Sequence, residues 1–301
     1  MSEEVDRLAS EVKSLNLKEH ANANYRKNGA IIVCDAWYGF PTQKRPRRER
    51  ILAVSKQIYN FMKWRKDYVT EKNLKRAVVS SVLVIGKNED VDAIRERVEE
   101  LQGKDSNCCD GDDDDDDDDI CNAPCYYLPG KDLEDLAGEL VAVEMQGDQS
   151  EVIAYLSPDA SEKLSAIEAP PRIVVVGMLV DRKVQPNRSK IRAESLLKQS
   201  VDVDVDVESS TAVTVKEVAI VPFQLPLDAL NVSDLSQDEC LNIDTVMEMI
   251  ERWWVNAKFR DGDTDAKRKV HFRDAAARAL MTHRQRHPNR TIHGGASTTN
   301  T

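Results

Sequence analysis

Ile173-Val-Val-Val-Gly-Met-Leu-Val-Asp-Arg182 is the stretch of sequence that decides the fold. It follows Pro170 and Pro171, and its apolar run ends in a carboxylate and a guanidinium. A short apolar run bounded in this way predicts a strand buried on both faces of a parallel sheet. Ligands bind at the carboxyl ends of such strands, where Asp181 and Arg182 fall. An aspartate at a strand end is also a common turn residue, so Asp181 could instead cap the loop and pair with Arg182 or a lysine.

Strand and helix patterns alternate on both sides of this stretch. Further strands are predicted at 30–34, 78–85, 152–156 and 218–225, the last of them broken by Pro222. Helices are predicted at about 46–66, 90–102, 189–199, 243–258 and 266–286. This alternation predicts an α/β domain with a largely parallel sheet. The alternating valines and acids of 201–208 are interpreted as a polar edge ribbon or a disordered insertion, not as a cation site.

The formal net charge of −11 is concentrated in one acidic segment. Residues 105–119 contain ten aspartates, eight of them consecutive, and without them the chain carries −1. Adjacent like charges repel one another and bury nothing, which predicts a disordered acidic loop over 103–125. Elsewhere, residues 41–76 carry +9 and residues 251–301 carry +6. Both segments are interpreted as surfaces that face a polyanion, although cations can also simply keep a helix face soluble.

Aromatic residues lie among the cations of the first basic segment. Tyr59, Phe61, Trp64 and Tyr68 fall within the predicted helix of 46–66 or just after it. Such rings can stack on unpaired bases, or they can form the apolar stripe of a core-facing helix. The sequence leaves both interpretations open.

Export signals and common catalytic motifs are absent from the sequence. No apolar run approaches the roughly 18 residues of a membrane span, and the acidic start does not resemble a signal peptide, so a cytoplasmic or nuclear protein without a membrane partner is expected. The six cysteines are then expected to be free thiols. Cys108, Cys109, Cys121 and Cys125 lack the usual spacing of zinc ligands, and no metal site is predicted. The two common glycine-rich phosphate-binding motifs, G-x-x-x-x-G-K-[ST] and G-x-G-x-x-G after a strand, do not occur in the sequence.

Four motifs occur in order along the second half of the chain. Tyr155-Leu-Ser-Pro-Asp-Ala160 and residues 173–182 are followed by Gln224-Leu-Pro-Leu-Asp228 and Leu241-Asn-Ile-Asp-Thr-Val246. In order and approximate spacing they resemble the core motifs of the Trm10-type tRNA (guanine-9-N1)-methyltransferases, which belong to the SPOUT class. The resemblance covers about residues 150–255 and is weaker upstream, where the strand ending at Asp35 is similar to the first strand of the family.

The resemblance implies a parallel α/β sheet with helices on both faces and a C-terminal trefoil knot that holds S-adenosyl-L-methionine. It implies methyl transfer to N1 of guanine at position 9 of tRNA by a monomer. Because that nitrogen carries a proton, the reaction needs a base, and Asp181 falls on the position of the family's proposed general base. The implied cofactor contacts are Leu156, Ser157, Gly177, Met178, Leu225, Cys240, Leu241 and Asn242. The resemblance also implies that the tRNA backbone is held by residues after the 173–182 motif and by the basic helix. These predicted RNA contacts are Arg182, Lys183 and Arg188, and on the helix Lys44, Arg45, Arg47, Arg48, Lys63, Arg65 and Lys66.

Three departures from the family pattern keep alternatives open. Met178 stands where the family has a glycine, Lys183 where it has an asparagine, and Asn242 where it has a threonine. The first two motivate an alternative hypothesis, a non-catalytic SPOUT-fold RNA-binding subunit of a ribonucleoprotein. N1-methylation of adenine at position 9 is a further alternative, since the family includes such enzymes.

The predicted domain organisation follows from these patterns. An N-terminal helix or flexible tail over 1–28 precedes a methyltransferase domain over 29–287, and a flexible tail over 288–301 follows it. Within the domain we expect a basic N-terminal part over 29–102, the acidic loop, and the cofactor-binding core over 150–255.

Overall fold

The computed structural model describes residues 30–38, 40–71, 81–106, 125–136, 152–166, 168, 170–178, 187–197, 219–230, 241–257 and 264–286. The predictions for 1–28, for 107–124, for the ribbon at 201–208 and for the tail at 288–301 lie outside these residues. So do four of the candidate site residues, which are Asp181, Arg182, Lys183 and Cys240.

The described strands form one sheet. They are β1 (Ile31–Asp35), β2 (Ser81–Gly86), β3 (Cys125–Pro129), β4 (Val152–Leu156), β5 (Glu162–Lys163), β6 (Ile173–Gly177) and β7 (Ala219–Gln224). Their order is β3-β2-β1-β6-β4-β7-β5, and every pairing is parallel. The predicted α/β fold with a parallel sheet is therefore confirmed.

Helices pack on both faces of this sheet. They are α1 (Lys44–Glu71), α2 (Asn88–Ser106), α3 (Arg188–Leu197), α4 (Ile243–Asn256) and α5 (Asp265–Arg286). Side chains alternate between the faces along each strand, so Ile32 and Cys34 join a core with α1, α2, α4 and α5, whereas Ile31 and Val33 join a core with α3. Within the part of the chain that the structure describes, no helix has the length and apolar character needed to cross a bilayer.

Three local predictions need correction. Pro222 does not break β7, which runs unbroken over Ala219–Gln224. Its position faces the β5 side of the strand, where pairing begins only at Phe223, so no ladder bond requires the missing N–H. Both ends of the expected acidic loop over 103–125 differ from the prediction, because residues 103–106 continue α2 and Cys125 begins the five-residue strand β3.

The order of strands reverses beside β1. The chain adds β2 and β3 on one side of β1, but β6 lies on its other side, between β1 and β4. Because all strands are parallel, their carboxyl ends share one edge of the sheet. In open α/β sheets generally, ligands bind in a crevice at the carboxyl edge, at the point where strand order reverses.

Candidate functional site at the carboxyl edge of the sheet

Most of the predicted cofactor residues that the structure describes lie at this edge. Leu156 ends β4 and Ser157 follows it, Gly177 ends β6 and Met178 follows it, and Leu225 follows β7. Since β6, β4 and β7 are neighbours, residues from three separate motifs meet at one edge. Leu241 and Asn242 directly precede α4, and the Ile243 amide donates a 2.6 Å hydrogen bond to Oε1 of Gln57 on α1.

Four of these residues share one apolar cluster. The side chains of Leu156 and Met178 are buried in the core beneath α1 and α4, and Leu225 and Leu241 pack against the same core. Met178 is 2% exposed, so its side chain points into the protein interior and does not stand in the crevice. Apolar side chains with a few main-chain groups are the usual lining of a small-molecule site.

Ser157 stabilises the loop that follows β4. Its amide donates to the Phe223 carbonyl oxygen at 2.9 Å, and its hydroxyl oxygen accepts hydrogen bonds from Ser189 and from the Asp159 amide. Asp159 in turn accepts a 2.6 Å hydrogen bond from the amide of Asn187, the residue before α3. Asn187 has a φ of 62°, a left-handed conformation that asparagine tolerates better than most residues. The loop after β4 is thus tied to the start of α3.

A buried polar cluster occupies the same edge, beside Gly177. We define the edge cluster as Asp35, Tyr38, Asp132, Tyr155 and Arg192. Oδ2 of Asp35 accepts hydrogen bonds from the Tyr155 hydroxyl at 2.9 Å and from Nε of Arg192 at 3.2 Å, and Oδ1 accepts one from the Trp37 amide at 2.9 Å. Arg192 also donates to Asp132.

The protons of this cluster form a chain. Tyr155 donates its one hydroxyl proton to Asp35, so in the short contact between the two tyrosines Tyr38 is the donor and Tyr155 the acceptor. Burial raises the pKa of Asp35, while the charge of Arg192 and the hydrogen bonds oppose that rise. Asp35 is fully buried and accepts three hydrogen bonds, so its part here is to position the residues around it.

Gly177 is required by the edge cluster. A Cβ at this position would lie 2.7 Å from the hydroxyl oxygen of Tyr38 and 2.9 Å from Cε2 of its ring. On the same tyrosine, the main-chain oxygen accepts a 2.7 Å hydrogen bond from Nη2 of Arg188. The Met178 amide donates to the Asp35 carbonyl oxygen at 2.8 Å. The residues that end β1 therefore contact both the end of β6 and the start of α3.

The predicted RNA contacts on α1 do not all reach the surface. Lys44, Arg45, Arg48, Lys63 and Lys66 are exposed. Arg47 is half-buried and pairs with Asp90 at 2.7 Å, so it links α1 to α2. Arg65 is 2% exposed and its Nε lies 3.9 Å from Glu251. Its proposed RNA contact is wrong, because its position on the helix places it in the core.

The aromatic residues of α1 also belong to the core. Phe61, Trp64 and Tyr68 are buried, and the Trp64 and Tyr68 rings stack with centroids 4.9 Å apart. The guanidinium of Arg252 on α4 lies 4.8 Å and 4.7 Å from these two ring centres. These rings are therefore packed inside the protein and are not available to stack on bases. Of the two interpretations, the core stripe is correct for Phe61, Trp64 and Tyr68.

Part of the second basic segment is also internal. Arg286 lies 3.1 Å from Glu248 and 3.6 Å from Asp244, and Arg252 lies 2.9 Å from Glu248. These contacts neutralise two of the cations that were expected to face a polyanion. Lys267, Lys269 and Arg284 are exposed on α5.

The described cysteines are free thiols. Cys34 is buried, and burial raises its pKa, which leaves it a poor nucleophile. Cys125 lies in β3, so the prediction that it is a loop thiol is wrong, and burial raises its pKa to about 11. Among the described residues, no group of three or more His, Cys, Asp or Glu side chains is placed to hold a metal ion.

These observations bring apolar residues, the main-chain groups of three strand ends and a buried polar cluster together at the carboxyl edge of the sheet. In a parallel α/β sheet, an edge of this kind is where a flat, partly apolar ligand can bind. A scan against protein-family models and a search of curated proteins both found no match to this chain.

Proposed function

We propose that this protein is an S-adenosylmethionine-dependent tRNA methyltransferase that modifies N1 of guanine at position 9. The observation that carries the proposal is the meeting of three motifs at one edge. Leu156, Gly177 and Leu225, which are 21 and 48 residues apart in sequence, lie at the carboxyl ends of three adjacent strands. Separate motifs that converge on one crevice support a common ligand.

The described residues fit the cofactor that the resemblance implies. Leu225 and Leu241, which are half-buried against the core, supply apolar surface suited to an adenine ring, and the ends of β4, β6 and β7 supply main-chain groups. Leu156 and Met178 are buried in the same cluster and support these two residues. When bound, S-adenosylmethionine supplies the methyl group. A trefoil knot in the second half of the domain is part of the same proposal, supported by the insertion of β6 between the earlier strands β1 and β4.

The remaining chemical task is removal of the proton from N1 of the base. In the proposal Asp181 is the general base, because it falls on the position of the family's proposed base and follows the carboxyl end of β6 by four residues in sequence. Asp35 is the described carboxylate beside Gly177, but its burial and its three hydrogen bonds assign it to positioning.

Methyl transfer to unmodified tRNA tests the proposal. Purified protein, S-adenosylmethionine and tRNA transcripts should yield 1-methylguanine at position 9, located by mass spectrometry of the digested RNA. Asp181→Asn should lower the rate by about 10²- to 10⁴-fold with tRNA affinity unchanged. Asp92→Asn, which removes a carboxylate from a surface pair on α2, is the matched control and should keep the wild-type rate.

The result also separates the alternatives. A product of 1-methyladenine would assign the adenine reaction. If calorimetry detects no binding of S-adenosylmethionine and no methyl group is transferred, the enzyme proposal fails and the non-catalytic RNA-binding subunit takes its place. A wild-type rate in Asp181→Asn would refute the assignment of Asp181 as general base, but it would not refute the enzyme proposal.

A further inference from the structure

One face of α1 carries a row of cations along most of the helix. We define the α1 ridge as the five exposed cations Arg45, Arg48, Lys56, Lys63 and Lys66. At 3.6 residues per turn these five positions fall within an arc of about 80°, and they span about 31 Å of helix axis. The opposite face of α1 holds Ile58, Phe61 and Arg65, which are buried. The ridge therefore points away from the sheet.

We infer that the α1 ridge binds the sugar–phosphate backbone of double-helical RNA, in preference to an unpaired strand. This inference rests on the proposed tRNA substrate for the choice of RNA as the polyanion. The ridge spans about 31 Å of helix axis, which is long enough to follow phosphates over about one turn of a double helix: a turn is about 34 Å in B-form DNA and shorter in the A-form helix of RNA. Contacts to phosphates position a protein on a helix and do not require contact with base edges.

The burial of the aromatic residues favours a double helix over a single strand. Proteins that bind single strands combine cations with exposed aromatic rings on which bases stack. On α1 the rings of Phe61, Trp64 and Tyr68 are buried, and Tyr59 packs against the core at half burial. The ridge offers charge without a stacking platform. Double-stranded RNA is recognised through its shape and phosphates, which is what such a surface can read.

The same face is poorly suited to a membrane. A helix that lies in a membrane surface inserts an exposed apolar face, whereas the apolar face of α1 packs on the sheet. Two acids, Glu49 and Asp67, lie on the exposed side of the helix, and Glu49 pairs with Arg45 at 3.1 Å. An exposed pair of this kind is weak, so a polyanion can compete for the arginine.

Charge reversal on the ridge tests the inference. Lys56→Glu/Lys63→Glu should weaken binding of an RNA duplex of about 20 base pairs by roughly ten-fold or more, since each lost phosphate contact also forfeits counterion release. The slope of log affinity against log salt concentration should shrink by about 2. The matched control is Lys87→Glu/Lys104→Glu, an equal charge change at exposed positions beside the start and near the end of α2, outside both basic segments. It should retain most of the affinity, and thermal unfolding should verify that both variants are folded.

Three results would overturn the inference. Unpaired oligouridine of equal length could bind as tightly as the duplex, with the same sensitivity to the ridge variant. The control variant Lys87→Glu/Lys104→Glu could lose as much affinity as the ridge variant, so that only net charge matters. Poly-aspartate could displace the duplex at equal charge concentration, which would assign the ridge to an acidic polypeptide.

The binding assay is independent of catalysis because it contains no S-adenosylmethionine. If the ridge binds the duplex but the protein transfers no methyl group, the inference about the ridge is supported and the enzyme proposal is refuted. If Lys56→Glu/Lys63→Glu changes neither methyl transfer nor tRNA affinity, the inference about the α1 ridge is refuted and the enzyme proposal stands.

Discussion

Two regions of this protein bury carboxylates beside arginines, and they differ in position. In the edge cluster, Asp35 contacts Arg192 at the carboxyl end of β1. In the second region, which we call the interhelical network, Asp244 and Glu248 on α4 contact Arg252 and Arg286. The edge cluster lies at the carboxyl ends of the strands where strand order reverses, whereas the network lies among packed helices. Buried charge alone therefore does not mark a functional site, and its place relative to the strand ends is what distinguishes the two regions.

The interhelical network holds three helices together. Glu248 is fully buried and accepts hydrogen bonds from Arg252 on its own helix and from Arg286 on α5. Arg252 also faces the stacked rings of Trp64 and Tyr68 on α1. Charges that are buried together tolerate the loss of one partner poorly, because the other is left uncompensated away from water. The comparison thus predicts a large effect on stability from the network.

Glu248→Ala should have the largest effect. It leaves Arg252 and Arg286 without their shared carboxylate, and breaking a buried pair of this kind costs about 3–5 kcal/mol. The measurement is the free energy of unfolding from urea titration. The control is Glu49→Ala, which breaks an exposed pair within one helix and should cost less than about 0.5 kcal/mol. A loss below about 1 kcal/mol for Glu248→Ala would show that the network contributes as little as a surface pair.

Gly177→Ala should have the next largest effect and acts on the edge cluster. The new methyl group would lie 2.7 Å from the Tyr38 hydroxyl oxygen, so the ring must move, at a cost of about 1–3 kcal/mol. The same change at Gly103, where a Cβ meets nothing within 4 Å, should instead stabilise α2 by up to about 1 kcal/mol.

A double variant tests whether the contact with Tyr38 causes the cost of Gly177→Ala. In a Tyr38→Ala background the ring is absent, so Gly177→Ala should cost much less than in the wild-type protein. The measurement is again urea unfolding. Equal costs in both backgrounds would place the strain elsewhere than at the contact between Tyr38 and Gly177.

The sequence predicts most of the fold because short apolar runs and helical stripes are local patterns. The strand at 173–177 and the helices α1, α2, α4 and α5 follow from such runs. Strand β3 does not, because Cys-Tyr-Tyr-Leu-Pro is short and adjoins the acidic segment, although its tyrosines favour a strand. Its place is fixed by pairing with β2, which is a tertiary contact.

The site is less predictable, since its parts are distant in sequence. Asp35 contacts Tyr155 and Arg192, which are 120 and 157 residues away, and no local pattern connects them. The burial of Arg65 did have a local signal. It lies four residues after Phe61, hence on the same helical face as the core stripe. The net charge of the segment alone predicts that Arg65 is a surface residue, because it takes no account of helical position.

The smallest predicted effect is a dependence of stability on pH that originates at Asp35. Burial raises its pKa in the folded protein above the usual 3.8, so the folded state retains this proton to higher pH than the unfolded chain does. The contribution of Asp35 to stability is then fully present below pH 3.8 and is lost as pH rises through the folded pKa. Each unit by which a pKa is raised corresponds to about 1.4 kcal/mol.

Comparison with Asp35→Asn isolates this contribution, because the amide does not titrate. The free energy of unfolding of the wild-type protein minus that of Asp35→Asn should fall as pH rises from about 3 towards neutrality. Tyr155→Phe removes a hydrogen bond that stabilises the carboxylate, so it should raise the pKa of Asp35 further and extend the loss to higher pH. A difference that grows with pH instead would mean that attraction to Arg192 outweighs burial. The edge cluster would then be held by its ion pair, as the interhelical network is, and the distinction between the two regions would rest on position alone.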